Sequence, residues 1–405
     1  MRPRLRGVEA FPVEHEGRAF IGLRDPGGYT PSVLLLPLPL REIIGRFDGR
    51  HSIEDIQAAL LREHGEPVPR ESIEEMVRAL DEHGFLDSPR FAERRRAIED
   101  AFHATPLRSA AHAGGAYPAE PDALRSTMGA FFAPPKGPGP IAPPRPGRAP
   151  VAGVIAPHID FHRGGPAYAW AYRDVAERAD ADLFVIFGTC HTGMADPFAI
   201  TRKDYDTPFG PAAVDRDFIE ALTHRAPVDC FRSELAHRNE HSIEFQAVFL
   251  RYLFAGTRDF TIVPVLASFA HEALAAGTAP DADPCVAGFL DALAETADAS
   301  GRRVVWIAGA DLAHVGPRFG DPEPLSPASM TRVETEDRAM LRAVEAGDAK
   351  MFFDAVAADG DRRRICGLSP IYSLLRVLDG RRGDLRHYGH TADPSCLVSF
   401  ASVVF

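Results

Sequence analysis

The sequence predicts an α/β protein, a sheet with helices on both faces, preceded by a small α+β unit. Two observations carry this. Short apolar runs recur, and each hands over to a histidine: VAGVIAPHIDFH at 151–162, LFVIFGTCH at 183–191 and VVWIAGADLAH at 304–314. Buried parallel strands read as such continuous runs, and ligands of open α/β sheets gather beyond the carboxyl ends of the strands. The runs also alternate with helical patterns. Strands are expected near 151–156, 183–188, 260–266, 303–308 and 396–405, and helices near 166–178, 215–223, 241–254, 285–297, 331–346 and 369–378. That alternation is the signature of a sheet covered on both faces.

Composition narrows the function classes. The chain has 405 residues, enough for two or three domains, and 45% apolar with 25% charged residues is a globular balance. With 45 basic against 57 acidic side chains the net charge is −12, which argues against a nucleic-acid groove. The five cysteines are widely spaced with no CxxC pair, which fits a reducing compartment. The most apolar run, residues 33–40, is short and holds Pro37 and Pro39, so it cannot span a bilayer. A cytoplasmic protein is expected.

Residues 1–100 read as a separate module. Residues 10–13 and 19–24 suggest a hairpin. Ser52 with Asp55, and Ser72 with Glu75, suggest capping boxes for two helices, and Phe85-Leu86 after Gly84 suggests the start of a wing strand. The layout is that of a winged helix. Residues 91–102 follow as a charged helix or linker. The second domain is expected to span 105–405, with a Pro/Gly-rich surface loop at 134–150.

The residues able to do chemistry cluster at the strand ends. His158 and His191 are either metal or catalytic residues or structural histidines bonded to backbone. Cys366 sits in ICGLSP. With Ser369 as N-cap and Pro370 at the first helical position, the helix dipole and Arg362, Arg363 and Arg364 would favour its thiolate; otherwise it is an inert buried thiol. Asp311 and His314 have the D-x-x-H spacing by which a carboxylate orients an imidazole, or they are a cap and a surface histidine. Glu240, His241 and Glu244 share one face of a helix start, where acids also serve as plain dipole partners. No Walker, GxGxxG or GxSxG pattern appears.

Taken together these motifs resemble the Memo family. They are HAG at 112–114, APH at 156–158, GTCH at 188–191, YDTPFG at 205–210, EHSIE at 240–244, IVPVL at 262–266, DLAH at 311–314 and ICG at 365–367. The bacterial and archaeal members are called AmmeMemoRadiSam system protein B. The resemblance implies kinship in fold with class III extradiol (LigB-like) dioxygenases, and a metal held by His158, His191 and Cys366. It also implies His314 as acid/base beside Asp311, and a pocket lined by Glu240, His241, Glu244 and His112. Thr192 stands where many members carry a second histidine, and Asp160 and His162 follow His158 where glycine and a hydroxyl residue are common.

Two imidazoles and a thiolate suit one redox-active ion, copper or iron, with zinc also compatible. Affinity should fall in acid, because the ligands must be deprotonated. The expected function is a metal-binding redox or oxygenase-like protein acting with radical-SAM and AMMECR-type partners. Residues 1–100 resemble PqqD-like peptide-recognition modules in layout. The competing readings are a ring-cleaving extradiol dioxygenase and a non-enzymatic peptide- or partner-binding module. Neither nucleic acid nor membrane is an expected partner.

Overall fold

The computed structural model describes residues 1–143 and 148–405, so part of the loop expected at 134–150 lies outside the described residues. The chain divides into two units, Met1–Thr105 and Pro106–Phe405.

The first unit opens with an antiparallel sheet of β1 (Glu9–His15), β2 (Arg18–Arg24) and β3 (Leu34–Pro37), in that order. Glu16 and Gly17 both take positive φ, the two-residue turn whose twist matches a hairpin. Helices α1 (Arg41–Ile44), α2 (Ile53–His64), α3 (Arg70–Glu82) and α4 (Pro89–Ala104) follow. Ile56, Leu60, Ile73, Leu80 and Phe85 form much of its core. The capping box of Ser52 and Asp55 is present. The second expected box is not. Helix α3 begins at Arg70 after Pro69, so Ser72 lies within its first turn. Proline at the N-cap ends the preceding loop earlier than the serine would. The expected wing strand at Phe85-Leu86 is a single bridge, Leu5 to Leu86, with Arg6 N donating to Phe85 O and Asp87 N to Arg4 O.

The second unit starts with β4 (Leu107–Arg108) and α5 (Pro121–Phe131). Next come β5 (Gly153–Ala156), α6 (Phe161–Arg178), β6 (Leu183–Thr189), β7 (Phe198–Ile200) and β8 (Asp204–Tyr205). Then follow α7 (Arg216–Arg225), α8 (His241–Phe254), β9 (Thr261–Ala267), α9 (Ala270–Ala276), α10 (Pro284–Ser300), β10 (Val304–Gly309) and β11 (Asp311–Val315). The chain closes with α11 (Pro327–Ala346), α12 (Ala349–Ala357), α13 (Leu368–Leu378), β12 (Asp384–Asp393) and β13 (Cys396–Val404).

The main sheet runs β11-β13-β5-β10-β6-β9-β7, with β12 paired on β13. Its centre, β5-β10-β6-β9, is parallel, and β13 joins antiparallel beside β5. The register places Gly309 of β10 opposite Gly188 of β6, and Trp306 opposite Gly153 of β5. A Cβ on Gly188 or Gly309 would lie 2.5 Å from Ser242 of α8, whereas one on Gly153 would meet Leu374 and Leu378 of α13. Residues 306 and 309 point to opposite faces of a strand, so α8 and α13 cover opposite faces of the sheet. The paired glycines let the start of α8 rest directly on the ends of two strands.

Helix α6 starts five residues before the expected position and keeps Pro166 inside it. Gly164 and Gly165 make room for that turn, since a Cβ on either would meet Ile159 or the Phe131 ring at 2.2–2.4 Å. Among the described residues, no helix is long and apolar enough to cross a membrane.

Candidate metal centre

The parallel strands β5, β6 and β10 end side by side, so the residues after them converge. His158 follows β5. Its backbone N–H donates to Asp311 Oδ1 (3.0 Å), and its Nδ1 donates to Gly309 O (2.9 Å), a carbonyl being able only to accept. Nε2 is thereby left as the acceptor, and it takes a hydrogen bond from the Cys366 thiol (3.3 Å). Gln246 on α8 steadies this loop by donating to Pro157 O (2.8 Å), and is itself held by Tyr172 OH (2.9 Å).

His191 follows β6. Its N–H donates to Glu240 Oε2 (2.8 Å), and its Nδ1 lies 3.0 Å from Oε1 of the same carboxylate. Glu240 is the N-cap of α8, accepting from Ser242 N (3.0 Å), and its Oε1 also lies 3.3 Å from His241 Nδ1. One buried carboxylate therefore holds the His191 ring and lies beside that of His241. The ring centroids of His191 and His241 are 4.5 Å apart; those of His158 are 4.9 Å from His191 and 5.3 Å from His241. One ligand atom from each of these three histidines lies within 4.8 Å of the others. The sequence reading set His241 among the pocket-lining residues; the fold brings it into the imidazole group.

The charges follow from this packing. Burial, together with the nearby His191, pushes His158 down to about 3, and burial holds His241 well below its ordinary value. Packing also works against charge on His191, but the Glu240 carboxylate outweighs it and raises His191 above the usual histidine range. Burial lifts Asp311 to about 6. His314 is lowered by burial; its Nδ1 donates to Leu312 O (3.1 Å) and its ring meets Phe319 edge-on at 5.2 Å.

Cys366 reaches the cluster through His158. Its carbonyl accepts from Thr189 Oγ1 (3.0 Å), and the next amide, Gly367 N, donates to Asp311 O (3.1 Å). The expectation of a favoured thiolate is corrected here. Burial, then the Asp311 carboxylate, raise the thiol well above its ordinary value. The three arginines are neutralised by partners: Arg362 by Glu336, Arg363 by Asp337 and Arg364 by Asp321. The expected cap is corrected too. Helix α13 is capped by Gly367, and Ser369 Oγ instead accepts from Phe269 N (3.2 Å) and Ala270 N (3.0 Å), capping α9.

The remaining candidates lie around the cluster. Glu244 is fully buried and bonded to the Arg108 guanidinium, to Tyr117 OH and to His112 N (3.0 Å). His112 bonds Asn239 O (2.9 Å), with its ring 5.6 Å from that of His241. His162 is 72% exposed and paired with Asp160 (2.9 Å). Arg108 was missed by sequence reading, since no local motif marks it. A second acidic and histidine group, Glu42, Glu63 and His64, lies exposed in the first unit, where Arg46 already pairs with Glu63.

An α/β sheet with His158 and His191 just past its strands, His241 from the start of α8 completing a three-imidazole group and the Cys366 thiol against His158 defines a candidate metal-site protein. Residues 108–404 match the family described as Memo-like protein. The chain belongs to that family. It is 27% identical over 410 residues to a MEMO1 family protein of Aquifex aeolicus, with both chains covered in full. It is 30% identical over 307 residues to a MEMO1 family protein of Methanopyrus kandleri, covering 74% of this chain and 98% of that one. A Thermus thermophilus MEMO1 family protein is 28% identical over 338 residues, 83% of this chain and 92% of its own.

Proposed function

We propose that the unit Pro106–Phe405 holds one redox-active ion, copper or iron, at the ends of β5 and β6. The supporting observation is the convergence of His158, His191 and His241, with Cys366 against His158. The donor set fits such an ion. The Nδ1 of His158 is committed to a carbonyl and that of His191 to a carboxylate, the partnering that fixes a metal-binding imidazole. His158 and His191 would bind, with Cys366 as the third ligand that the family resemblance implies and His241 within reach as an alternative. Nitrogen and sulfur donors suit copper and iron, and zinc also fits. When bound, the ion would supply electron transfer to a substrate at the open side of the site.

The chain's own residues supply the rest. His314 has Nδ1 bonded to backbone, so Nε2 is the atom that takes or gives a proton. Asp311, lifted to about 6, holds the His158 loop and shares the nearby charge. Glu240 fixes His191, and Glu244 and His112 shape the segment beside His241. The reaction is read as redox or oxygenase-like, on a small or peptide-borne substrate, in company with radical-SAM and AMMECR-type proteins in the cytoplasm. Met1–Thr105 is read as a module binding a partner peptide.

Metal analysis of protein purified without added metal tests the reading, paired with copper and iron titrations of His158→Ala, His191→Ala, Cys366→Ala and His241→Ala. Loss of affinity in the first three, with His241→Ala near the parent, supports the set with the thiol. Full occupancy in Cys366→Ala refutes that set. A yellow ring-fission product from catechols with Fe(II) under air would favour an extradiol dioxygenase. A metal-free protein that keeps its partner after triple ligand substitution would favour a binding module.

A further inference from the structure

Arg108 is buried to 1% exposure, and its guanidinium is bonded on every side. Nε donates to His237 O (2.9 Å), Nη2 to Glu240 O (2.7 Å), and Nη1 to Ser109 O (2.8 Å) and to the Glu244 carboxylate. Its face lies 5.0 Å from the Tyr205 ring. Glu244 accepts in turn from Tyr117 OH and His112 N. Two of these bonds end on main chain at residues 237 and 240, the approach to α8, and two more on main chain at residues 109 and 112, just after β4. A buried cation is costly unless it is fully paired, and this one is held on four acceptors. The geometry it fixes is that of Glu240, whose carboxylate holds the amide and Nδ1 of His191 and lies beside Nδ1 of His241.

We infer that Arg108 and Glu244 are positioning residues for the histidine cluster: together they lock the backbone of Glu240 so that its carboxylate sets the orientation and tautomer of His191 and His241. The inference rests on the metal reading for its consequence, but not for its geometry. Neither residue touches the ion or the substrate, and both act through Glu240. Arg108 lies three residues past the boundary at Thr105, so the first strand of the second unit is fastened to the main-chain carbonyl of Glu240.

The test uses the full chain and two readouts. The first is the ¹⁵N signature of His191 and His241 in metal-free protein, and the second is copper affinity. The double variant Arg108→Met/Glu244→Met removes both charges and keeps the volume, a change that buried ion pairs commonly tolerate. The parent should show His191 with its proton on Nδ1. The double variant should show a mixture of tautomers and a copper affinity lower by about 10- to 100-fold, the usual effect of losing an outer partner. A His191 signature like the parent's, with affinity within about twofold, overturns the inference. Should the double variant not fold, Glu244→Gln takes its place. It keeps one acceptor oxygen for Tyr117 and His112 but turns an amide NH2 toward Arg108, breaking the pair that holds Arg108 in place, and an unchanged His191 signal there overturns the inference equally. If the parent takes up no copper the metal reading fails, and the tautomer readout still decides the role of Arg108 and Glu244.

Discussion

His191 and His241 lean on a carboxylate, whereas His158 and His314 lean on main-chain carbonyls. Glu240 lies within 3.3 Å of Nδ1 in both rings of the first pair. Gly309 O and Leu312 O accept from the second pair. The consequence differs because a full negative charge stabilises an imidazolium and a carbonyl dipole does so less. His191 is raised, while His158 falls to about 3. Burial is common to both sides. His191, hydrogen-bonded to Glu240, is lifted against it, whereas His241, beside the same carboxylate, is still driven well below its ordinary value by burial, so the direct bond to the charge makes the difference. A carboxylate-backed imidazole is also the more basic ligand.

The largest expected effect comes from breaking the charged side. Glu240→Gln keeps the size of the side chain but removes the charge, and copper affinity measured by calorimetry should fall by about 100-fold. Asp311→Asn on the other side should cost less than about tenfold, because Asn Oδ1 can still accept from His158 N. Equal losses in the two variants would erase the contrast.

The pH dependence of the metal-free protein sharpens it. His158 and His241 have folded values below their unfolded ones, so the unfolded chain binds more protons and stability is lost as pH falls through 6.5 toward 3. His191 has the opposite sign. Its contribution is present below 6.5 and is lost as pH rises through its raised value. His237, His314 and His387 are lowered as well, five histidines in all, against the raised His191, His271, Asp311 and Asp337; five against four leaves a small net acid weakness, and the unfolding midpoint should drop by roughly 5 °C between pH 7 and pH 5. Removing Glu240 should steepen that drop, because His191 then joins the lowered histidines. A flat or rising midpoint toward pH 5 would contradict this balance.

A smaller effect is expected where helix α8 meets the strands. Gly309→Ala would set a Cβ 2.5 Å from Ser242 O, which is backbone and cannot swing aside. It should cost about 1–3 kcal/mol in denaturant titrations and move His241 away from His158. The smallest is Ser369→Ala. It removes the hydroxyl that caps α9, costing about 1 kcal/mol while leaving the cluster in place.

The strands legible in the sequence were the buried ones. The runs near 151–156, 183–188, 260–266, 303–308 and 396–405 correspond to β5, β6, β9, β10 and β13. Their hydrophobicity is continuous because both faces are covered. Strand β12 escaped notice, since DLRHYGHTAD is only half-buried and carries few apolar residues. Helix α12 had a readable start in Asp348, whose side chain accepts from Met351 N, but nine residues left little room for periodicity. His158, His191, Asp311 and His314 were also legible as types just past strands, and Glu240, His241 and Glu244 as a helix start. Their partners were not. Glu240 belongs to His191, 49 residues away, and Glu244 to Arg108, 136 residues away.

By itself the sequence determined the five buried strands β5, β6, β9, β10 and β13, that histidines and an aspartate stand just past three of them, and the family to which those motifs point. Such features are local, set by hydrophobic period, turn residues and caps within a few positions. Only the tertiary structure decided which carboxylate backs which imidazole, that the arginines before Cys366 are already neutralised, and that Ser369 caps a different helix. Those outcomes depend on pairing between segments far apart in the chain, and a side chain's charge state follows the neighbours that the fold brings to it.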